Sequence, residues 1–365
     1  MMQVDRNYLK VKKRGALHQK GRSAPGEGRN GGRGNQLPGW VLILIDVALT
    51  GIVVCVFALF HHVLPRKSSN PGIDIPRPPI SDVPTGGSTV ESSTGEGLPS
   101  QPDTEQGMWG AKFADKFSDS VQKTEVGDTK SYISKDINVS LTKHVTGEGN
   151  GQVTYFVADI YIRNIENFRT AFAKGEYGHG LRDDTVTMAQ ENNAVIAISG
   201  DYYGTREEGI VIRNGKLYRD VLLEDVCVLY YDGTMETYTA DEFDIDQAVN
   251  KGAYQAWSFG PKLLDNGEVP STFNSGVMPD NPRSAIGYVE PGHYYFVLVD
   301  GRDRGYSKGM RIEELAQLFH DLGCKEAYNL DGGQSAVMAY DGELANKPAG
   351  GGRMISDILY IGEVE

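Results

Sequence analysis

Three cysteines in 365 residues are too few for a disulfide-built scaffold, and Cys55 falls inside an apolar run. Cys227 and Cys324 remain; they can pair in an oxidising compartment, but each sits in an apolar stretch that suits a buried thiol better. The acidic run Asp241, Glu242, Asp244 and Asp246 lacks the glycine and closing glutamate of a calcium loop and reads as a solvated helix face. His179 and His293 stand alone near glycine-rich loops and are read as structural, so neither a metal nor a cofactor is expected. Positive charge is scarce beyond the start of the chain. Residues 1–39 carry nine basic and two acidic residues, so of the net −13 the leader contributes +7 and the rest −20, which argues against nucleic acid as a partner of the main domain.

What the chain does have is one long apolar segment, Trp40 to Phe60, interrupted only by Asp46. At about 1.5 Å per residue it crosses a hydrocarbon core of roughly 30 Å. It starts late and has no small-x-small site before His61, which favours an anchor over a cleaved signal. The basic leader stays inside, so the expected order is a cytoplasmic leader (1–39), a single-pass anchor (40–62), a flexible Pro/Gly/Ser-rich stalk (63–106) and an extracellular domain (107–365).

Within the domain, alternation at 137–141 and 155–162 predicts strands, as do the apolar runs 194–198, 209–213, 226–231, 294–299 and 355–361. Helices are expected near 165–174 (capped by Asn164), 184–193, 240–251 (from a Thr239–Glu242 capping box) and 311–322. The fold class is therefore α+β, one mixed, largely antiparallel sheet domain with flanking helices.

Apolar strands repeatedly end in Asp, Asn or Arg. Ser199-Gly200-Asp201, Pro282-Arg283-Ser284, Asp300-Gly301-Arg302 and Asn329-Leu330-Asp331-Gly332-Gly333-Gln334-Ser335 are the main instances, with Arg353 before the last strand. Paired glycines allow close backbone approach and positive φ, although Asp-Gly alone also marks a hairpin tip. The order and spacing of these motifs from Tyr155 to Glu363 resemble the phosphodiester glycosidase family. The anchor, the stalk and the lack of cysteine-rich modules are similar to its bacterial members, of exopolysaccharide-biosynthesis type. One departure is Ser199, where the family's usual amide stands.

The resemblance implies cleavage of the sugar C1–O bond of a sugar-1-phosphodiester such as an N-acetylglucosamine-1-phosphodiester. That chemistry needs guanidinium forks for the leaving phosphate and a carboxylate for water or the anomeric carbon. Asp331, Asp300 and Asp201 are the candidate catalytic residues; Arg283, Arg302, Asn329, Gly332, Gly333, Ser335 and Arg353 are the candidate substrate-binding residues. The expected partners are a sugar-phosphate diester or phosphate-containing glycan and, through one helix, the membrane; the oligomeric state is open. The competing expectation is a binding or assembly factor that holds such a glycan without turnover, and nearby carboxylates weigh against it because they weaken pure phosphate binding.

Overall fold

The computed structural model describes residues 38–60, 64–78 and 109–364. The chain divides into two units, Met1–His61 and His62–Glu365. The first contains the helix Gly39–Ala58, 20 residues long, with no buried side chain. Its length and composition suffice to cross a membrane. The leader assigned to 1–39 lies almost wholly outside the described residues.

The second unit is built on antiparallel pairing throughout its described sheets. The strands fall into an eight-stranded, a six-stranded and a five-stranded sheet with one further two-stranded ribbon. At the centre of the eight-stranded sheet, Arg283–Glu290, His293–Val299 and Val153–Ile162 run side by side, with Glu326–Asn329 on the far flank of the first. Ile137, Val139 and Leu141 alternate inward, as their spacing predicts. A common core forms where the sheets meet, with Phe296 and Leu298 from the eight-stranded sheet, Ile196 and Leu359 from the five-stranded and Trp257 from the six-stranded. The helix Ile312–Asp321 closes a second core with Ile312, Leu315, Ala316 and Phe319. Gly287 permits that packing, since a Cβ there would stand 2.5 Å from the Phe319 ring.

The α+β expectation and its antiparallel character hold. Three local expectations do not. Asn164 caps only one 3-10 turn, Ile165–Asn167, and Phe168–Phe172 is a strand paired to Asp357–Gly362. Phe168 and Thr170 point inward at period two, and that burial outweighs the helical capping signal. The Thr239–Glu242 box forms by half, since Glu242 Oε2 accepts from the Thr239 N–H and hydroxyl while the Glu242 N–H goes to the Thr239 carbonyl, and the helix begins later, at Ile245, capped by Asp244. The later start turns Ile245, Ala248 and Val249 onto the core. Finally, part of the stretch assigned to a flexible stalk is docked. Arg66–Lys67 pairs with Gly178–His179, and Ile73–Asp74 adds an edge strand to Lys216–Val221. Ile75 is buried among Ile210, Ile212 and Val226, an anchor that the surrounding prolines and serines conceal in the sequence. Residues 79–108 lie outside the described residues.

Cys227 and Cys324 are both buried and free, and burial pushes both thiols up. Truncating Ile75 to Ala removes a buried anchor and is expected to cost about 2 kcal/mol or more. Denaturant unfolding of the full chain reads this as a lower midpoint at unchanged slope; an unchanged midpoint would show the segment undocked.

Candidate active site

The site lies where the eight-stranded and five-stranded sheets are sewn together by main-chain bonds. The Asp331 N–H donates across to Gly200 O at 3.0 Å, while the Leu330 N–H donates to Ser284 O at 2.8 Å within the eight-stranded sheet. The Ser199 hydroxyl donates to Asp331 O and the Ser284 hydroxyl to Ser199 O. Ser199, where the family pattern has an amide, thus serves as a cross-sheet donor. The glycines are required by this crossing. A Cβ on Gly200 would meet Asp357 Oδ1 at 2.4 Å, one on Gly332 would meet Pro282 O at 2.6 Å, and Gly333 has φ +63°.

Beside the crossing is a cleft of about 440 Å³. Four arginines line it, Arg206, Arg283, Arg302 and Arg353, against two carboxylates, Glu224 and Asp331. A net positive cleft in a chain of net charge −13 selects anions. Asn329 lies in the cleft wall, its Nδ2 donating to Gly260 O at 2.8 Å, while its buried Oδ1 has no partner. Such an orphaned acceptor is costly unless a ligand donor reaches it. Among the described residues the amide N–H groups of Gly332 and Gln334 have no acceptor, whereas that of Gly333 is taken by Pro282 O. The pair of amides free for an anion is therefore Gly332 with Gln334, one residue displaced from the expected Gly332 and Gly333.

Asp331 is 6 % exposed and receives Arg353 Nη2 at 2.9 and 3.2 Å. Burial raises its carboxyl above the usual range, opposed by Ser335 and Arg353 and reinforced by the negative charge of Asp201. Arg353 is held in turn by Ser335 Oγ at 2.5 Å and by the face of Tyr202, 5.2 Å from the ring centre. Ser335 is buried behind the cleft and orients Arg353 instead of touching a ligand. Arg302 takes a left-handed φ of +59°, and its fork closes on Asn281 Oδ1 at 2.9 and 3.2 Å. Among the described residues no carboxylate pairs with it. Arg283 is different, since its Nε and Nη2 donate to the carbonyls of Met310, Val277, Met278 and Pro279, and burial lowers it to about 10. It braces the 277–279 loop at the cleft wall.

The other two aspartates lie outside the cleft lining. Asp300 is buried, with Asn346 Nδ2 at 2.7 Å, Tyr306 Oη at 2.8 Å and Lys347 N at 3.1 Å filling its oxygens. It fastens the 346–347 turn, so the strand-Asp-Gly pattern it shares with Asp331 has a structural outcome here. Asp201 accepts from Tyr202 N at 2.6 Å and Ser258 N at 2.9 Å, and pairs with Arg206 at 3.5 Å and Arg213 at 3.8 Å. Behind it, Arg213 Nε meets Asp357 Oδ2 at 2.7 Å, both groups fully buried, and burial raises Asp357 to about 6. Arg206, Arg213, Tyr202 and Asp357 were not singled out from sequence. Arg213 ends an apolar strand as the other candidates do, and that was its one available signal; nothing in the sequence marks Asp357. Among the described residues no group of three or more His, Cys, Asp or Glu could hold a metal ion.

Residues 192–362 match the family model described as phosphodiester glycosidase. The chain is 32 % identical over 197 residues to the SPbeta prophage-derived uncharacterized protein YomE of Bacillus subtilis (strain 168), covering 51 % of this chain and 30 % of that protein. It thus spans under a third of that relative's length. The fold is like that of the catalytic domain of zebrafish N-acetylglucosamine-1-phosphodiester alpha-N-acetylglucosaminidase. The TM-score is 0.53 at 21 % identity, over 67 % of this chain and 88 % of that one.

Replacing Arg213 with Met would leave Asp357 and Asp201 buried with like charge and no cation between them. The expected cost is about 3–5 kcal/mol, read as a lowered unfolding midpoint. A midpoint within error of the parent would show that the pair does not hold the site.

Proposed function

This chain, through residues 192–362, belongs to the phosphodiester glycosidase family, and from that premise we propose that it hydrolyses the C1–O bond of sugar-1-phosphodiesters, N-acetylglucosamine-1-phosphodiesters among them. The observation that carries the reading is Asp331, a buried carboxylate on the wall of an arginine-rich cleft, with two acceptor-less amides beside it. In the reaction a water oxygen becomes bonded to the anomeric carbon and gives up one proton, to Asp331 as base or to solvent, while the C1–O bond breaks and its electron pair leaves with the phosphomonoester. A phosphate is a good leaving group, so the protein's main task is to stabilise charge on its oxygens and on the oxocarbenium-like carbon. Arg302, which has no carboxylate partner among the described residues, is the phosphate fork, with Arg353, Arg206 and the Gly332 and Gln334 amides around it. Asp331 faces the sugar and acts as nucleophile or base. Asn329 Oδ1 accepts from a sugar hydroxyl or amide. Asp201 positions Tyr202 and Arg206 from behind, and Asp300 is assigned no chemical step. The apolar helix anchors the enzyme, and by the positive-inside rule the domain faces the exterior, where phosphate-containing surface polysaccharide is the substrate.

Asp331→Asn should abolish release of free N-acetylglucosamine from its methyl phosphodiester while circular dichroism stays unchanged. Asp300→Asn should lower stability but keep turnover per folded molecule. Arg302→Ala should lower kcat by about 10²–10³, the loss expected for one oxyanion-stabilising group. Full activity in the Asp331 variant would remove that residue from the mechanism.

Asp331 must be ionised to act. With its carboxyl raised by burial, activity should fall on acidification at a pH above that of an ordinary aspartate. Arg353 favours the ionised form, so Arg353→Ala raises the carboxyl further and moves the acid limb of the kcat/KM profile to higher pH. A limb that stays in place or moves to lower pH contradicts this.

A further inference from the structure

A second cleft of about 340 Å³ adjoins the first, and Arg206 lines both. Tyr202 and Tyr203, consecutive in the chain, line the first and second respectively, so the turn carrying them is a common wall. The outer side of the second cleft is the docked segment, Arg66 to Ser69, paired to the strand Gly178–His179. Its charge is lopsided. Four cations, Arg66, Lys67, Arg206 and Arg219, and one carboxylate, Glu207, line it; Lys67 is also paired with Glu176 at 2.7 Å and Arg206 with Asp201 at 3.5 Å.

Arg219 is the most informative of these. Its Nε donates to Gly209 O at 2.7 Å and its Nη1 to Arg206 O and Tyr203 O at 2.6 and 3.2 Å, whereas Nη2 is buried with no well-formed hydrogen bond. The guanidinium also interacts with Tyr177, whose ionised form it favours, so the fork is held by the cleft wall and lends the cleft its positive charge. Tyr177 and Tyr203 stack on each other with ring centres 5.3 Å apart; Tyr203 is buried, so the half-buried Tyr177 is the ring that a sugar can meet. A cationic fork beside an aromatic ring fits a sugar phosphate, the same chemistry as the first cleft.

Building on the phosphodiester glycosidase reading above, we propose that the second cleft binds a neighbouring phosphodiester unit of the same strand. The substrate is then a polymer with repeating sugar-phosphate diesters, not a single diester, and Arg206 lies between two consecutive phosphates.

The test uses the full-length protein in detergent micelles carrying Asp331→Asn, so that probes persist. Calorimetry compares a trimer of N-acetylglucosamine-1-phosphate units joined by phosphodiesters with the monomeric methyl phosphodiester. The trimer should bind at least about tenfold tighter, as a second site on one ligand provides. Adding Ser69→Glu places a carboxylate in the second cleft and should erase the difference while leaving monomer affinity unchanged. Ser69→Gln, of equal size and no charge, should preserve it, and matched melting temperatures establish that both variants fold. Equal affinities for trimer and monomer, or a preference that survives Ser69→Glu, overturn the proposal. Sugar release is measured on the same probes with Asp331 intact. Release without length preference leaves the activity and removes the second cleft; preference without release does the reverse. Absence of binding by both probes overturns both.

Discussion

A buried arginine between two buried aspartates is the constraint on which the site depends. Removing a charge from water costs several kcal/mol even after relaxation, so Arg213 is tolerable only where its partners are fixed around it. Asp357 supplies one oxygen at 2.7 Å, Asp201 stands at 3.8 Å, and the carbonyls of Ile212 and Ala256 accept from Nη1. Those partners come from the six-stranded and five-stranded sheets, so the ion cluster fixes how the two meet. From Asp201 the order passes outward through Tyr202 N and Ser258 N to the turn that bears Arg206. The cleft is thus polar at its surface because it is ionic underneath.

The same logic separates the aspartates. Asp331 and Asp300 look alike in sequence, each closing an apolar strand before glycine. Around Asp300, Asn346 donates to one oxygen and Tyr306 and the Lys347 amide to the other, so both oxygens are engaged. Around Asp331 the side-chain partners are Ser335 and an arginine that itself lines the cleft, and the carboxylate stands in the cleft lining. The distinction resides in residues distant in sequence, which is why no local motif reveals it.

Legibility follows that division. Strands with strong alternation or long apolar runs, and the helix Ile312–Asp321 with its acidic first turn, are set by local pattern and were readable. The Gly332-Gly333 pair was legible as a place of close backbone approach, but not that Gly332 makes that approach to the Pro282 carbonyl. Phe168–Phe172 was obscured by a genuine cap at Asn164, where pairing with the last strand overrode it. Arg283 was legible as a cleft residue but not as a brace, since its acceptors are main-chain carbonyls that carry no sequence signal. Asp357 and Arg213 are single charged residues in apolar strands, and their meaning arises only when the sheets are brought together.

The docked segment at 64–78 behaves as a ligand of its own domain, held by two short strand pairs and one buried isoleucine. Being covalently attached, it acts at an effective concentration that dilution does not change. Because Arg66 to Ser69 help to wall the second cleft, any molecule that touches both the segment and the domain favours docking by the same factor by which docking favours that molecule. Occupancy of the cleft and retention of the segment are therefore one equilibrium. A pull on the chain before residue 64 would be felt as a loss of affinity for whatever fills the second cleft.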